Sequence, residues 1–238
     1  MPRVAGVDAV QTGERLLVQL VTLPPGRPAE RSLYRLIEWG AHWWARVLLR
    51  GTYRQRLLLR GDAATVSTMA DALTEATSQP GVRAVDLSIH PHGTTDRLVL
   101  ADGLVDVGDI VRQVRAAIGD VQRHRLRAVF STACFGASHL DAWLQAGFVV
   151  ATGARGIYAD GATSVPVVFR TWAARRSVEQ CVQWSNSDPT RHAQDALAAR
   201  YYGWTGRPGD AARVDSTRVA GGAGAVTVET DPASLRLP

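Results

Sequence analysis

The stretch RAVFSTACFGASHLDAWLQAGFVVAT, residues 127–152, sets the frame for the whole chain. Arg127-Ala128-Val129-Phe130-Ser131 reads as a short buried strand. Small residues come next, and then Leu140 to Ala146 takes a helical pattern closed by Gly147. Phe148-Val149-Val150-Ala151-Thr152 is the next strand. Strand, turn, helix and strand in succession is the unit of a parallel sheet covered by helices.

Working outward, the same alternation continues on both sides. Upstream, Arg56-Leu57-Leu58-Leu59 is a short strand. Asp62 then caps a helix running to about Ser78, with Val66, Met69, Ala70 and Leu73 on one face. Ala84-Val85-Asp86-Leu87-Ser88-Ile89 is a further strand, and Val107 to Ile118 is a helix behind an N-cap at Asp106. Downstream, Val165 to about Trp184 reads as one long helix. Near the start, Glu14 to Val21 is a strand ended by Leu23-Pro24-Pro25-Gly26. A helix carrying Trp39, Trp43 and Trp44 covers about residues 29–49, and its tryptophans are expected to pack on the core rather than to form a partner-binding stripe. The pattern predicts a doubly wound, mostly parallel α/β fold. Residues 1–53 are expected as a strand-plus-helix extension packed on the core, 54–202 as the main domain, and 203–238 as a largely irregular segment with an edge strand at 225–229.

The composition narrows the chemistry. The formal charge of the 238-residue chain is +5, yet its arginines are scattered rather than run together, so no nucleic-acid partner is expected. The chain has no lysine, which removes Schiff-base chemistry, a lysine general base and a Walker lysine. Two cysteines, Cys134 and Cys181, are too few for a disulfide scaffold or a zinc site, and the histidines lack metal-ligand spacing. No signal-peptide core and no membrane span are read, so a cytoplasmic chain without a cofactor is expected.

Ligands of open α/β sheets bind beyond the carboxyl ends of the strands. Two such ends stand out: His90-Pro91-His92-Gly93 after the 84–89 strand, and Thr132-Ala133-Cys134-Phe135-Gly136 after the 127–131 strand. If these strands are neighbours, His92 and Cys134 meet at one edge. A thiol beside an imidazole can become a nucleophile, and the imidazole can carry its proton to a leaving group. The backbone N–H groups of Gly93 and Cys134 could form an oxyanion hole, since Gly93 has no Cβ in the way.

A strand ending in His-Gly followed by a strand ending in Ala-Cys-x-Gly resembles the caspase-like cysteine peptidases, a group that includes caspases, metacaspases, clostripain-like enzymes and CHAT-type peptidases. Ala133-Cys134-Phe135-Gly136 matches the cysteine motif. The stretch from Leu140 through Gly147 into Val149–Gly153 resembles the helix and strand that come after the cysteine in the CHAT group, and the likeness covers about residues 54–185. It implies a caspase-like fold with flavodoxin-like strand order, and hydrolysis of peptide bonds through an acyl-enzyme on Cys134 with His92 as general acid and base. His90 is the rival base; His92 is preferred because Gly93 comes directly after it. The implied partners are a protein or peptide substrate and an activating protein.

Thr132 departs from the residues that caspases and metacaspases place there, which leaves the P1 preference open. Thr132, Arg155 and Asp160 are the expected substrate-binding residues. Asp160 would favour a basic P1 side chain, with Asp96 and Asp102 also in reach, whereas Arg97 or Arg155 would favour an acidic one. Cys181, inside a helical pattern, is expected in the core. Asp102, Asp106 and Asp109 read as a solvated loop and helix cap rather than a cation site. The alternatives are a catalytically inactive binding or signalling module of the same fold, and a flavodoxin-like nucleotide-binding domain.

Overall fold

The computed structural model describes residues 9–24 and 31–236. In chain order the elements are β1 (Arg15–Thr22), α1 (Arg31–Leu48), β2 (Gln55–Arg60), α2 (Val66–Ser78), β3 (Ala84–Thr94), β4 (Arg97–Leu100), β5 (Gly103–Asp106), α3 (Val107–Ala117), α4 (Asp120–Arg123), β6 (Leu126–Ser131), α5 (Leu140–Ala146), β7 (Val150–Ala154), α6 (Gly161–Ala173), α7 (Val178–Asn186), α8 (Pro189–Trp204), α9 (Pro208–Ala211) and β8 (Arg218–Gly222). The main sheet runs β2-β1-β3-β6-β7-β8, and all neighbours are parallel except β7 and β8. The five parallel strands therefore take the doubly wound order 2-1-3-4-5, whose direction of growth reverses between β1 and β3.

Each face of the sheet has its own apolar layer. Leu16, Val18 and Leu20 of β1 join α2, α3 and α5 on one side through Met69, Leu73, Ile110, Val114 and Trp143. On the other side Leu17, Phe130 and Val150 pack with Ala45 of α1 and with Val165, Phe169 and Trp172 of α6. Every residue of β1 is buried, as an inner strand requires, whereas β2 at the edge is partly exposed throughout.

A buried charge sits within this second layer. Arg127 pairs with Asp86 at 2.6 Å with both side chains fully buried. Tyr53 Oη donates to Asp86 at 2.6 Å, and Trp172 Nε1 donates to Tyr53 Oη at 2.8 Å. Removing one partner of such a pair costs about 3–5 kcal/mol, because the other charge is left buried and alone.

Several expectations are corrected. Residues 15–22 are no extension: β1 lies between β2 and β3. The helix expected from Asp62 starts at Val66, because Thr65 accepts the N–H of Thr68 and Asp62 falls in a short 3-10 turn. The single helix expected over 165–184 is two, α6 and α7, parted where Arg175 takes a positive φ of 64° and Ser177 caps the second. Residues 203–213 contain the end of α8 and all of α9, and the edge strand is 218–222 instead of 225–229. Val226 and Val228 are nonetheless buried in the second apolar layer, where the carbonyls of Val228 and Thr230 accept from the Arg127 guanidinium rather than from a strand. Trp39 and Trp43, expected in the core, are exposed, while Trp44 packs against the second layer.

Candidate active site

β3 outruns its neighbour. Its pairing with β6 ends at Ile89 and Ser131, but β3 continues through His92 and Gly93 into a hairpin with β4, turning at Thr95-Asp96. The histidine loop expected from sequence is therefore extended strand, stiffened by β4. On β6 the chain passes Ser131 into Cys134, then turns at Phe135, which holds φ 57° and ψ 22°. A left-handed conformation at a bulky residue costs energy and marks a turn fixed by its surroundings. Gly136 makes that turn compact: its backbone lies against Gly153 of β7, where a Cβ on Gly153 would come within 2.3 Å of Gly136 C.

Two contacts fasten the hairpin to this turn. The Ser138 hydroxyl accepts the N–H of Asp96 at 2.9 Å, and His139 Nε2 donates to Thr94 O at 2.9 Å. Gly93 itself lies against the cysteine, and a Cβ there would fall 2.6 Å from Cys134 O and 2.9 Å from Ala133 Cβ. Glycine is thus required by a close backbone approach.

His92 and Cys134 both line one cavity of about 580 Å³ at the carboxyl edge of the sheet. His92 Nε2 lies 3.1 Å from Pro24 O, just past the end of β1, and its ring packs edge-on against Tyr34 of α1 at 4.7 Å between centroids. A carbonyl only accepts, so this contact keeps the proton on Nε2 and leaves Nδ1 as the basic nitrogen. Pro24 lies just past β1 and His92 on β3, the two strands that flank the switch point of the sheet.

Cys134 is partly exposed to the cavity, and its Sγ receives the Tyr158 N–H at 3.4 Å. Burial pushes the thiol above its ordinary value. The N–H groups of Tyr158, Cys134 and Gly93 pull it back, and the Asp210 charge pushes it up again. The resting sulfur is therefore a thiol rather than a preformed thiolate, already surrounded by backbone donors.

His90 occupies a different environment on the same strand. It is fully enclosed, with Nε2 2.7 Å from Ser88 Oγ and Nδ1 3.1 Å from Thr132 Oγ1, and Phe169 packs across it. Burial, aided by the Arg218 charge, lowers it to about 3. It does not line the cavity.

The three expected substrate-binding residues are not among the cavity's lining residues. Thr132 bonds His90, and Arg155 points to solvent. Asp160 is buried at the start of α6, where it accepts from Thr163, leaves its Oδ2 without a hydrogen bond, and is pushed up by burial. The charged lining consists instead of Asp96, Arg97, Asp106, Arg207, Asp210 and Arg213. Arg213 lies over the Phe135 ring at 4.4 Å and Arg207 over Tyr202 at 4.6 Å. Asp106 caps α3 by accepting from Gly108 N at 2.8 Å. Asp102 and Asp109 are engaged apart from it, with Val66 N and with Arg112. Among the described residues no group of three or more His, Cys, Asp or Glu side chains could hold a metal ion.

Pro24, Tyr34, Tyr158 and the residues from Tyr202 to Arg213 were not singled out from sequence. Pro24 and Tyr158 act through backbone atoms, which leave no residue-type signal. The Asp188-Pro189 step, a helix cap with proline at the first helical position, did announce α8, which leads to Tyr202. No protein-family model matches the chain, and no curated protein matches it. No helix among the described residues is long and apolar enough to cross a membrane.

Proposed function

We propose that the chain is a cysteine endopeptidase of the caspase-like kind, with Cys134 as nucleophile and His92 as general acid and base. One observation carries the reading: His92, on β3, and Cys134, in the turn just past the end of the adjacent parallel strand β6, line one cavity, with the imidazole held by Pro24 O and the sulfur by backbone N–H groups. Nδ1 of His92 takes the thiol proton as Cys134 attacks the peptide carbonyl, and then returns it to the leaving amine. The N–H groups of Gly93 and Cys134, which already favour negative charge at Sγ, hold the developing oxyanion. His92 next removes a proton from the water that releases the acyl group. Because burial keeps the resting thiol protonated, proton transfer to His92 accompanies attack and is not complete beforehand.

The test is turnover of fluorogenic peptides carrying Arg, Lys, Asp or Leu at P1, beside labelling with a peptidyl electrophile. Turnover and labelling that both vanish in C134A support the reading. A wild-type chain that neither cleaves nor labels assigns the fold to binding instead.

A further inference from the structure

α1 buries little of itself. Its inward side is small, Ala41 and Ala45 with Leu49 just past its end. Its outward side is apolar: Leu33 is 54%, Leu36 62% and Trp39 53% exposed, and Ile37, Trp43 and Val47 are each more than a third exposed. Spacings of three and four place all six on one continuous face. A face of this extent on a soluble domain marks a contact surface.

The order of side chains around the helix identifies the occupant. At 3.6 residues per turn, Leu33, Ile37, Leu36 and Val47 come first, then Trp43 and Trp39, then Arg46 and Arg35. The two indoles stack at 5.9 Å, forming a band between the aliphatic and the arginine rows. Arg60 of β2, which is exposed, reaches α1 at Glu38 and adds its charge to the positive side. The helix carries one acid, Glu38, which is partly buried, accepts Leu23 N–H at 2.7 Å and faces Arg60. Aliphatic, indole and cation in that sequence is the layering of acyl chains, interface and headgroups in a lipid leaflet. The exposed charged residues on this face, Arg35 and Arg46, are of one sign, so an antiparallel second copy would set arginine against arginine.

We propose that α1 is a docking surface for an anionic lipid surface, lying in its plane with Leu33, Leu36 and Val47 inserted and Arg35 and Arg46 among the headgroups. Tyr34 on another side of α1 reaches the His92 cavity, but none of the six outward residues lines it, so the face stands whether or not the chain is a peptidase.

The experiment is co-sedimentation of the full chain with phosphatidylcholine vesicles, with and without phosphatidylglycerol. Binding is expected with the anionic lipid and should weaken with added salt. L33E/L36E changes two exposed positions and should lower the partition coefficient about tenfold or more at an unchanged melting temperature. R35E/R46E should remove the preference for anionic vesicles, and W204A, on exposed α8, should bind as wild type. Absence of wild-type binding, or binding that both double variants retain, overturns the proposal. A lipid-free dimer that L33E/L36E splits would give the face to a second copy. A co-purifying acidic protein lost in R35E/R46E, with no vesicle binding, would give it to a protein partner; either outcome overturns the lipid assignment.

Discussion

The cavity rim and the interior beneath α6 hold the same chemistry in opposite states. Each has one histidine from β3 and one cysteine. His90 and His92 point to the same face, about 7 Å apart along the strand. His90 lies under α6, loses its water and falls to about 3. His92 has passed the end of the sheet and meets Pro24 O, Tyr34 and the cavity. Cys181 faces the core from α7 and is pushed up to about 12, whereas Cys134 reaches the cavity with Tyr158 N–H on its sulfur. Residue type does not separate the cavity-lining pair from the enclosed one here; position relative to the end of the sheet does.

The largest expected effect breaks the cysteine half of this contrast. C134A should abolish peptide cleavage and leave the melting temperature nearly unchanged, because one partly exposed sulfur is lost. C181A should do the reverse: activity stays and stability falls by about 1–2 kcal/mol for the cavity left in the core. A labelled peptidyl electrophile read by mass spectrometry should mark Cys134 and spare Cys181. Labelling of both at similar rates would erase the distinction.

The histidine half should give a drop of about 10²–10⁴ in kcat/KM for H92A. His90 should show itself in stability instead. Its folded value is about 3 against an ordinary 6.5, so between these the unfolded chain binds a proton that the folded chain does not. Stability present above about pH 6.5 is then lost as pH falls toward 3, by up to roughly 5 kcal/mol. His139, also lowered by burial, adds to the same limb. H90Q should flatten the acid limb of a urea-unfolding series without moving the pH–activity profile. A profile moved by H90Q and not by H92A would exchange their roles.

Gly93 sharpens the contrast at the backbone. G93A places a Cβ 2.6 Å from Cys134 O, so either the hairpin or the cysteine turn must move. A loss of about 10²–10³ in kcat with a smaller change in KM is expected if its N–H serves the oxyanion. A change in KM alone would show that Gly93 shapes binding only.

How far the sequence carried differs between rim and interior. The strands at 84–89 and 127–131 were legible because buried parallel strands are mostly apolar runs, the edge strand at 56–59 from its leucine run, and the strand ends named His92 and Cys134. That residues 15–22 form an inner strand was not legible, since pairing partners leave no local mark. The apolar pattern of 165–184 concealed the break at Arg175, because α6 and α7 pack against the same layer and keep its periodicity. Arg207, Asp210 and Arg213 reach the cavity only through the path of α8 and α9 back over the sheet edge, which no window of residues encodes.

The smallest expected effect concerns the substrate and divides rim from interior once more. Asp160 was the sequence's choice to meet a basic P1 side chain, but it is interior, buried at the start of α6. At the rim, Arg213 and Arg207 lie over the rings of Phe135 and Tyr202, and Asp106 is occupied as a helix cap. Asp210 lines the cavity close enough to Cys134 for its charge to raise the thiol, whereas Arg97 and Asp96 sit side by side at the hairpin tip with opposite charges. A cationic P1 side chain should therefore be preferred, with Asp210 as its partner. A charge-assisted hydrogen bond contributes about 1.5–3 kcal/mol, so D210N should cut kcat/KM for Arg over Leu about tenfold or more. D96N should cut it less, and D160N should leave the ratio alone while altering stability. Matched peptides with Arg, Lys, Asp and Leu at P1 measure this directly. A preference for Asp that R213A abolishes would mean that the cations leave their rings when substrate enters.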